Sequence, residues 1–155
     1  MRIENHAVDI FLCPRGPQDA ICVTTNGVIR SDGRAVMGAG IAKQADDRFD
    51  LARALAASLR RQGNHVFCFG PRTDIRTDRV MTVFAFPTKE DWKAPSILSL
   101  IIRSAHELVE QCDKLGIKTC YMTPPGCGLG RLDWTSQVRP ALKSILDDRF
   151  VVIVH

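Results

Sequence analysis

Short apolar runs and apolar repeats at helical spacing alternate along this chain. Residues 7–12 and 21–25 are brief apolar stretches separated by the turn formers Pro14, Gly16 and Pro17, and each predicts a buried strand. A polar loop over 26–34 leads into Ala-Val-Met-Gly-Ala-Gly-Ile-Ala-Lys-Gln at 35–44, beyond which Ile41, Ala45 and Phe49 recur at helical spacing. A second helix is predicted to start after Asp50, read as its N-cap, with Leu51, Leu55 and Leu59 on one face and Gly63 as its stop. Residues 66–69 and 80–86 predict further strands. Pro95 suits a helix first turn, and Ile97, Ile101, Ala105, Leu108, Val109 and Cys112 give that helix a long apolar face, ended by Gly116. A strand over 119–122 then enters a glycine-rich segment at 123–134. A helix over 135–146, with Pro140 set against its first turns, and a last strand over 150–154 complete the pattern. Strands alternating with helices predict a layered α/β fold with a mixed sheet, in one domain over residues 1–155.

At 155 residues the chain can bury one core, and nothing in it asks for a second. No apolar run is long enough to span a bilayer, so no membrane partner is expected. The first twelve residues carry Glu4 and Asp9 and lack the apolar core of a secretion signal, so a cytoplasmic protein is expected. The six cysteines never form a C-x-x-C pair; we expect free, mostly buried thiols and neither a metal nor a cofactor. His6, His65, His106 and His155 pair with no candidate nucleophile and read as structural or surface residues. The net charge of +4 favours anionic partners but is too small to identify nucleic acid as one.

Most of the chemical information lies in two glycine loops, each handing a strand over to a helix. Gly38 and Gly40 precede one helix; Gly126, Gly128 and Gly130 precede another. Glycine permits close backbone approach and positive φ, so successive N–H groups can converge on an anion, with a helix N-terminus adding positive potential. Two such loops are able to cradle a diphosphate from opposite sides; two tight turns are the plainer reading. The segment Gly38-Ala39-Gly40-Ile41-Ala42-Lys43 has the outline of a dinucleotide-binding fingerprint, but a polar loop separates it from its strand. No acidic residue closes a second strand about twenty positions on, as that fold wants. It is no Walker loop either, because no Gly-Lys-Ser/Thr follows.

At these residues the sequence resembles the macro domain family. Val23-Thr24-Thr25-Asn26-Gly27, Val36-Met37-Gly38-Ala39-Gly40-Ile41-Ala42 and Pro125-Gly126-Cys127-Gly128-Leu129-Gly130 are similar to that family's first strand-loop and two ligand loops, in order. Asp9-Ile10 is similar to its adenine-recognising pair, although Ala7-Val8 stands where a glycine commonly precedes it. The likeness runs from about residue 9 to 134 and is nearest to the branch of terminal ADP-ribose glycohydrolases and DNA-directed ADP-ribosyl glycohydrolase antitoxins. It implies a three-layer α/β/α sandwich with a central mixed sheet, and a pocket for ADP-ribose or an ADP-ribosylated macromolecule. By that resemblance Asp9 accepts from the adenine amino group and Ile10 lines the base pocket. Asn26 sits by the distal ribose, and Thr25 is a further ligand contact. Gly38, Ala39, Gly40, Ile41 and Ala42, with Gly126, Cys127, Gly128, Leu129 and Gly130, supply backbone donors to the phosphates and distal ribose, and Val36, Met37 and Arg131 are further ligand contacts. Asp9 as a solvated strand-end carboxylate and Asn26 as a turn residue before Gly27 are the plainer alternatives.

Phe84-Ala85-Phe86-Pro87-Thr88-Lys89 places a lysine just beyond an apolar strand, with Trp92 and Pro95 near enough to wall a site. Desolvation there would favour the neutral amine. In the glycohydrolase branch a lysine in a similar segment is catalytic, which implies Lys89 as a nucleophile at the anomeric carbon of the distal ribose. One departure stands out. The protein-directed enzymes carry an aspartate where this chain has Gly130, whereas the DNA-directed branch lacks it and keeps Leu-Asp-Trp beyond, as here. Asp133 reads as a helix cap rather than a substitute carboxylate, and Cys127 as packing or loop geometry. The leading expectation is therefore an ADP-ribosyl glycohydrolase working without metal on a protein or nucleic-acid target. A non-enzymatic ADP-ribose reader and a phosphatase acting on ADP-ribose 1″-phosphate are the alternatives.

Overall fold

The computed structural model describes residues 1–5 and 8–155. Six strands form one sheet: β1 (Arg2–Asn5), β2 (Asp19–Thr25), β3 (Phe67–Thr73), β4 (Val80–Pro87), β5 (Thr119–Met122) and β6 (Phe150–Val154). Their spatial order is β1-β6-β5-β2-β4-β3; every pairing is parallel except that of β3 with β4, so the sheet is mixed.

Alternation along the central strands separates two cores. Ile21 and Val23 of β2, Met81, Val83 and Ala85 of β4, and Val151 and Ile153 of β6 face one side. Ala20 and Cys22, Phe84 and Phe86, and Phe150 and Val152 face the other. Helices α1 (Gly40–Phe49) and α2 (Ala52–Gln62) cover the first face through Ala45, Phe49, Leu55 and Ala56. Helices α3 (Leu98–Leu115) and α4 (Arg139–Leu142) cover the second through Ile101, Ala105, Leu108, Cys112 and Leu142. The result is an α/β/α sandwich with strands buried on both faces, which is why they read as nearly continuous apolar runs. Cys22, Cys112 and Cys120 are buried free thiols, while Cys13, Cys68 and Cys127 are half-buried. Among the described residues no helix is long and apolar enough to cross a membrane, and no three His, Cys, Asp or Glu side chains gather in one place.

Several elements differ from their sequence patterns. The first apolar stretch is not a strand where it is described. Residues 6 and 7 lie outside the described part, and with them the reading of His6; Ile10–Leu12 is a 3-10 turn. Asp9 turns the chain there by accepting the Phe11 N–H at 3.0 Å, and the first strand is instead the more polar Arg2–Asn5, at the sheet edge. Asp50 does not cap α2; it ends α1 in the left-handed region, at φ 55. The capping carboxylate is Asp46, whose Oδ1 accepts from the N–H groups of Leu51 at 2.8 Å and Ala52 at 2.9 Å. Pro95 precedes α3 rather than opening it, and Ile97 is an exposed N-cap rather than part of the apolar face. The helix expected over 135–146 is a π-turn, Trp134–Val138, followed by the short α4. Pro140 has no N–H to return to Ser136, so the α-helical ladder cannot run through that position. Val138 and Arg139 instead bond five residues back, to the carbonyls of Asp133 and Trp134.

Candidate active site

Strands β5, β2 and β4 are neighbours and parallel, so the loops leaving their carboxyl ends open on the same edge of the sheet. Between these loops lies a cavity of about 1110 Å³. Its walls include Thr25, Asn26 and the whole first glycine loop, Val36, Met37, Gly38, Ala39, Gly40, Ile41 and Ala42. The opposite wall holds Gly126, Gly128, Leu129, Gly130 and Arg131 from the second, and Lys89 and Trp92 come from the loop after β4. Residues far apart in sequence therefore meet where their strands end. Pro95 does not reach the cavity walls.

The first loop is braced from outside. Residues 28–36 fold back on themselves, with Val36 N–H donating to the Val28 carbonyl at 3.1 Å and an isolated bridge joining Ile29 to Ala35. Asn26 holds that hairpin at its base: its Nδ2 donates to the Val36 carbonyl at 3.1 Å and its Oδ1 accepts from Val28 N–H at 3.0 Å. Gly40 enters α1 at φ 58, a left-handed conformation open to glycine at little cost. Among the described residues the N–H groups of Gly40, Ile41 and Ala42 have no protein acceptor, whereas that of Lys43 donates to Ala39. The open end of α1 thus brings free donors and the positive end of its dipole to the cavity.

In the second loop the N–H groups of Gly128, Leu129 and Gly130 are likewise without a protein acceptor among the described residues. Those of Cys127, Arg131 and Leu132 are taken by the carbonyls of Pro124, Gly128 and Gly126. Cys127 stands apart from the rest of the loop: it does not line the cavity, and its thiol packs toward the second core and donates to the Pro125 carbonyl at 3.4 Å. Burial, and then the Asp133 carboxylate, push that thiol up to about 11, so it remains protonated at neutral pH. Asp133 itself accepts from Ser136 N–H at 2.8 Å and Ser136 Oγ at 2.6 Å. It caps the π-turn and lies outside the cavity walls.

Lys89 is held by backbone bonds on both sides. Thr88 N–H donates to the Thr25 carbonyl at 3.1 Å, Ile97 N–H to the Thr88 carbonyl at 2.9 Å, and Gly27 N–H to the Glu90 carbonyl at 3.0 Å. Asn64 Nδ2 donates to the Lys89 carbonyl itself at 2.9 Å. From this fixed base the Lys89 side chain crosses to the second loop, where Nζ lies 3.5 Å from the Leu129 carbonyl oxygen. The amine therefore lies against the second glycine loop, in a cavity that the first loop also lines. Ser96 closes the same corner: its N–H donates to the Gly130 carbonyl at 2.9 Å, and its buried hydroxyl, like that of Thr25, finds no partner among the described residues. Both hydroxyls belong to residues of the cavity wall.

Three expected site residues, Asp9, Ile10 and Cys127, are not brought into the cavity. Ile10 is buried in the first core, and Asp9 lies outside the walls with both carboxylate oxygens engaged. Oδ1 accepts from Phe11 N–H and Oδ2 from Arg48 Nη2, each at 3.0 Å. Arg48 also donates to the fully buried Asp74 at 2.5 Å and lies 4.2 Å from the Phe11 ring centroid. Sequence reasoning did not find Ser96, Thr88, Arg30, Arg34, Lys93 or Asp46 as wall residues. The pairing of β2 with β4, which sets Thr25 opposite Pro87, is what brings Thr88 in. No local motif marks the others.

No protein-family model matches the chain. It is 30% identical over 121 residues to the DNA ADP-ribosyl glycohydrolase of Mycobacterium tuberculosis, an alignment covering 77% of this chain and 33% of that protein. The chain thus spans about a third of the length of the curated relatives it matches. Among solved structures it is similar to the macrodomain of Mycobacterium tuberculosis DarG. The TM-score is 0.72 and the identity 26%, covering 99% of this chain and 97% of that one. It also superposes on Thermosipho africanus DarTG in complex with ADP-ribose, with a TM-score of 0.76 and 22% identity, covering 99% of this chain and 42% of that one. With its mixed six-stranded sheet between two helical layers and two glycine loops at the carboxyl edge, the chain is a macro domain of the kind found in DarG proteins.

Proposed function

We propose that this macro domain binds ADP-ribose in the cavity between its glycine loops and hydrolyses the bond joining it to a nucleic acid, with Lys89 as the nucleophile. The observation that carries this is the position of the Lys89 amine, 3.5 Å from the Leu129 carbonyl, in a cavity lined by two sets of backbone N–H groups that have no protein acceptor among the described residues. Those donors suit the diphosphate and the hydroxyls of the distal ribose. Five cationic side chains, Arg30, Arg34, Lys89, Lys93 and Arg131, line the cavity against one carboxylate, Asp46, whose Oδ1 is already occupied by two backbone N–H groups. That balance suits a polyanion. The names of the relatives, DNA ADP-ribosyl glycohydrolase, point to DNA as the polyanion, and an ADP-ribose complex exists for the Thermosipho africanus protein.

In this reading the Lys89 amine attacks the anomeric carbon of the distal ribose. Nζ forms a bond to that carbon while the bond to the linked group breaks. The linked group leaves with the electron pair and takes up the proton released by the amine. Water then adds to the same carbon, the C–Nζ bond breaks, and free ADP-ribose and lysine are restored. One water is consumed in total.

Titrating ADP-ribose into the wild-type protein and Lys89→Ala tests the cavity; release of ADP-ribose from modified DNA and modified protein tests the reaction. Micromolar binding to both proteins, with DNA turnover lowered at least about a hundredfold in Lys89→Ala, is the expected result. Binding of modified DNA should also weaken with added salt. Binding without turnover on either substrate would make the domain a reader, and absence of binding would remove the ADP-ribose assignment.

A further inference from the structure

Two large apolar side chains of the cavity wall stand out in solvent. Trp92 is 49% exposed and Leu129 68% exposed, yet both belong to the cavity wall, the first on the loop after β4 and the second on the loop after β5. Large apolar side chains left in water beside a cavity mark a contact surface more often than isolated ones do. The other tryptophan, Trp134, packs against the second core instead. The exposure of Trp92 is also built in. Asp91 closes the turn that carries it, its carboxylate accepting from Lys93 N–H at 2.9 Å and its carbonyl from Ala94 N–H at 3.1 Å. Lys93 Nζ lies 5.3 Å from the centroid of the indole. An indole with the Lys93 ammonium over one face and its other face left for a base, on a wall that also holds Arg131, offers stacking and phosphate contacts together. That pairing is the recognition chemistry of an unpaired nucleobase and its backbone. An acidic peptide would satisfy the cations but leave the flat face of Trp92 unused.

We propose that Trp92 is a specificity-determining residue: the nucleobase that carries the ADP-ribose stacks on its indole, with Lys93 and Arg131 holding the adjoining phosphates. The proposal rests on the reading of the cavity as an ADP-ribosyl glycohydrolase site and adds to it the residue that recognises the leaving group. Lys89 then acts on a bond held between two anchored halves, the ADP-ribose in the loops and the base on the tryptophan.

The test uses Lys89→Ala protein as parent, so that no probe is turned over, with Trp92→Ala and Trp92→Phe added to it. Three probes are titrated: free ADP-ribose, an ADP-ribosylated single-stranded oligodeoxynucleotide and an ADP-ribosylated acidic peptide. Trp92→Ala is expected to raise the oligonucleotide Kd about tenfold more than it raises the other two, and Trp92→Phe to restore most of the difference. Equal losses on all three probes, or the largest loss on the peptide, would overturn the proposal while leaving the cavity assignment standing. Failure of the parent to bind free ADP-ribose would overturn the cavity assignment, and the platform with it.

Discussion

The hydroxyl of Ser96 occupies the space that a side chain at Gly130 would need. A Cβ placed on Gly130 would overlap Ser96 Oγ and the Gly126 carbonyl oxygen, so this corner of the second loop closes only around a glycine. The absence of a carboxylate at position 130 is thus a packing requirement of this chain. Gly130→Ala should lower stability by about 1–3 kcal/mol through overpacking and weaken ADP-ribose binding as the loop shifts. Gly130→Asp should do the same without raising turnover. Urea titration and calorimetry of the two variants check this; a Gly130→Asp protein with full stability and faster turnover would contradict it.

Arg48 joins three segments, the turn at Asp9, the end of α1 and the β3–β4 connection at Asp74. Asp74 is fully buried, and Arg76 N–H is its other partner at Oδ1, at 2.8 Å. Arg48→Ala would leave a buried carboxylate without its cation, costing on the order of 3–5 kcal/mol. A fall of that size in unfolding free energy is the expected result. The paired change Arg48→Met with Asp74→Leu should lose much less, because neither charge is then stranded.

Asp46 accepts the first two N–H groups of the segment opening α2 while itself belonging to α1. Asp46→Ala should cost about 1–2 kcal/mol, the usual loss for a helix cap. Asp46→Asn, which keeps an acceptor oxygen, should cost less. Comparing the two midpoints in urea separates capping from loss of charge.

Acid should weaken the fold in part through Asp147. Hydrogen bonds from the Arg149 guanidinium hold its carboxyl below the ordinary 3.8. A carboxylate with a depressed folded value contributes stability that is fully present above the unfolded value and is lost as pH falls through the folded one. The contribution should therefore be intact at neutral pH and disappear below about pH 3.8. Asp147→Asn should flatten this part of the profile and lower stability at pH 6 more than at pH 3.

Much of the architecture was legible because buried strands and amphipathic helices leave periodic traces. The runs that became β5 and β6 were read to the residue, and Gly63 and Gly116 end helices α2 and α3 as their positions suggested. Capping was harder to read. Asp50 looked like a cap by position, yet the acceptor comes from Asp46 a turn earlier, since a side chain reaches along a helix in ways that spacing alone does not fix. The run at 135–146 kept its apolar residues but lost its regularity to one missing N–H at Pro140. In the site, the glycine loops and Lys89 announced themselves through local sequence. Ser96, Arg30 and Arg34 did not, because their place in the wall depends on which strands lie side by side.

The three backbone–backbone hydrogen bonds around Lys89, with the one from the Asn64 side chain, bear on when the proposed nucleophile becomes ordered. With the peptide groups on both sides of it fixed to Thr25, Gly27, Asn64 and Ile97, only the rotors of the aliphatic stem remain free when a ligand arrives. Those rotors carry at most about 2 kcal/mol of conformational entropy. Folding has already restricted the backbone, so a substrate entering this cavity meets a partly aligned amine and need not organise a loop around it.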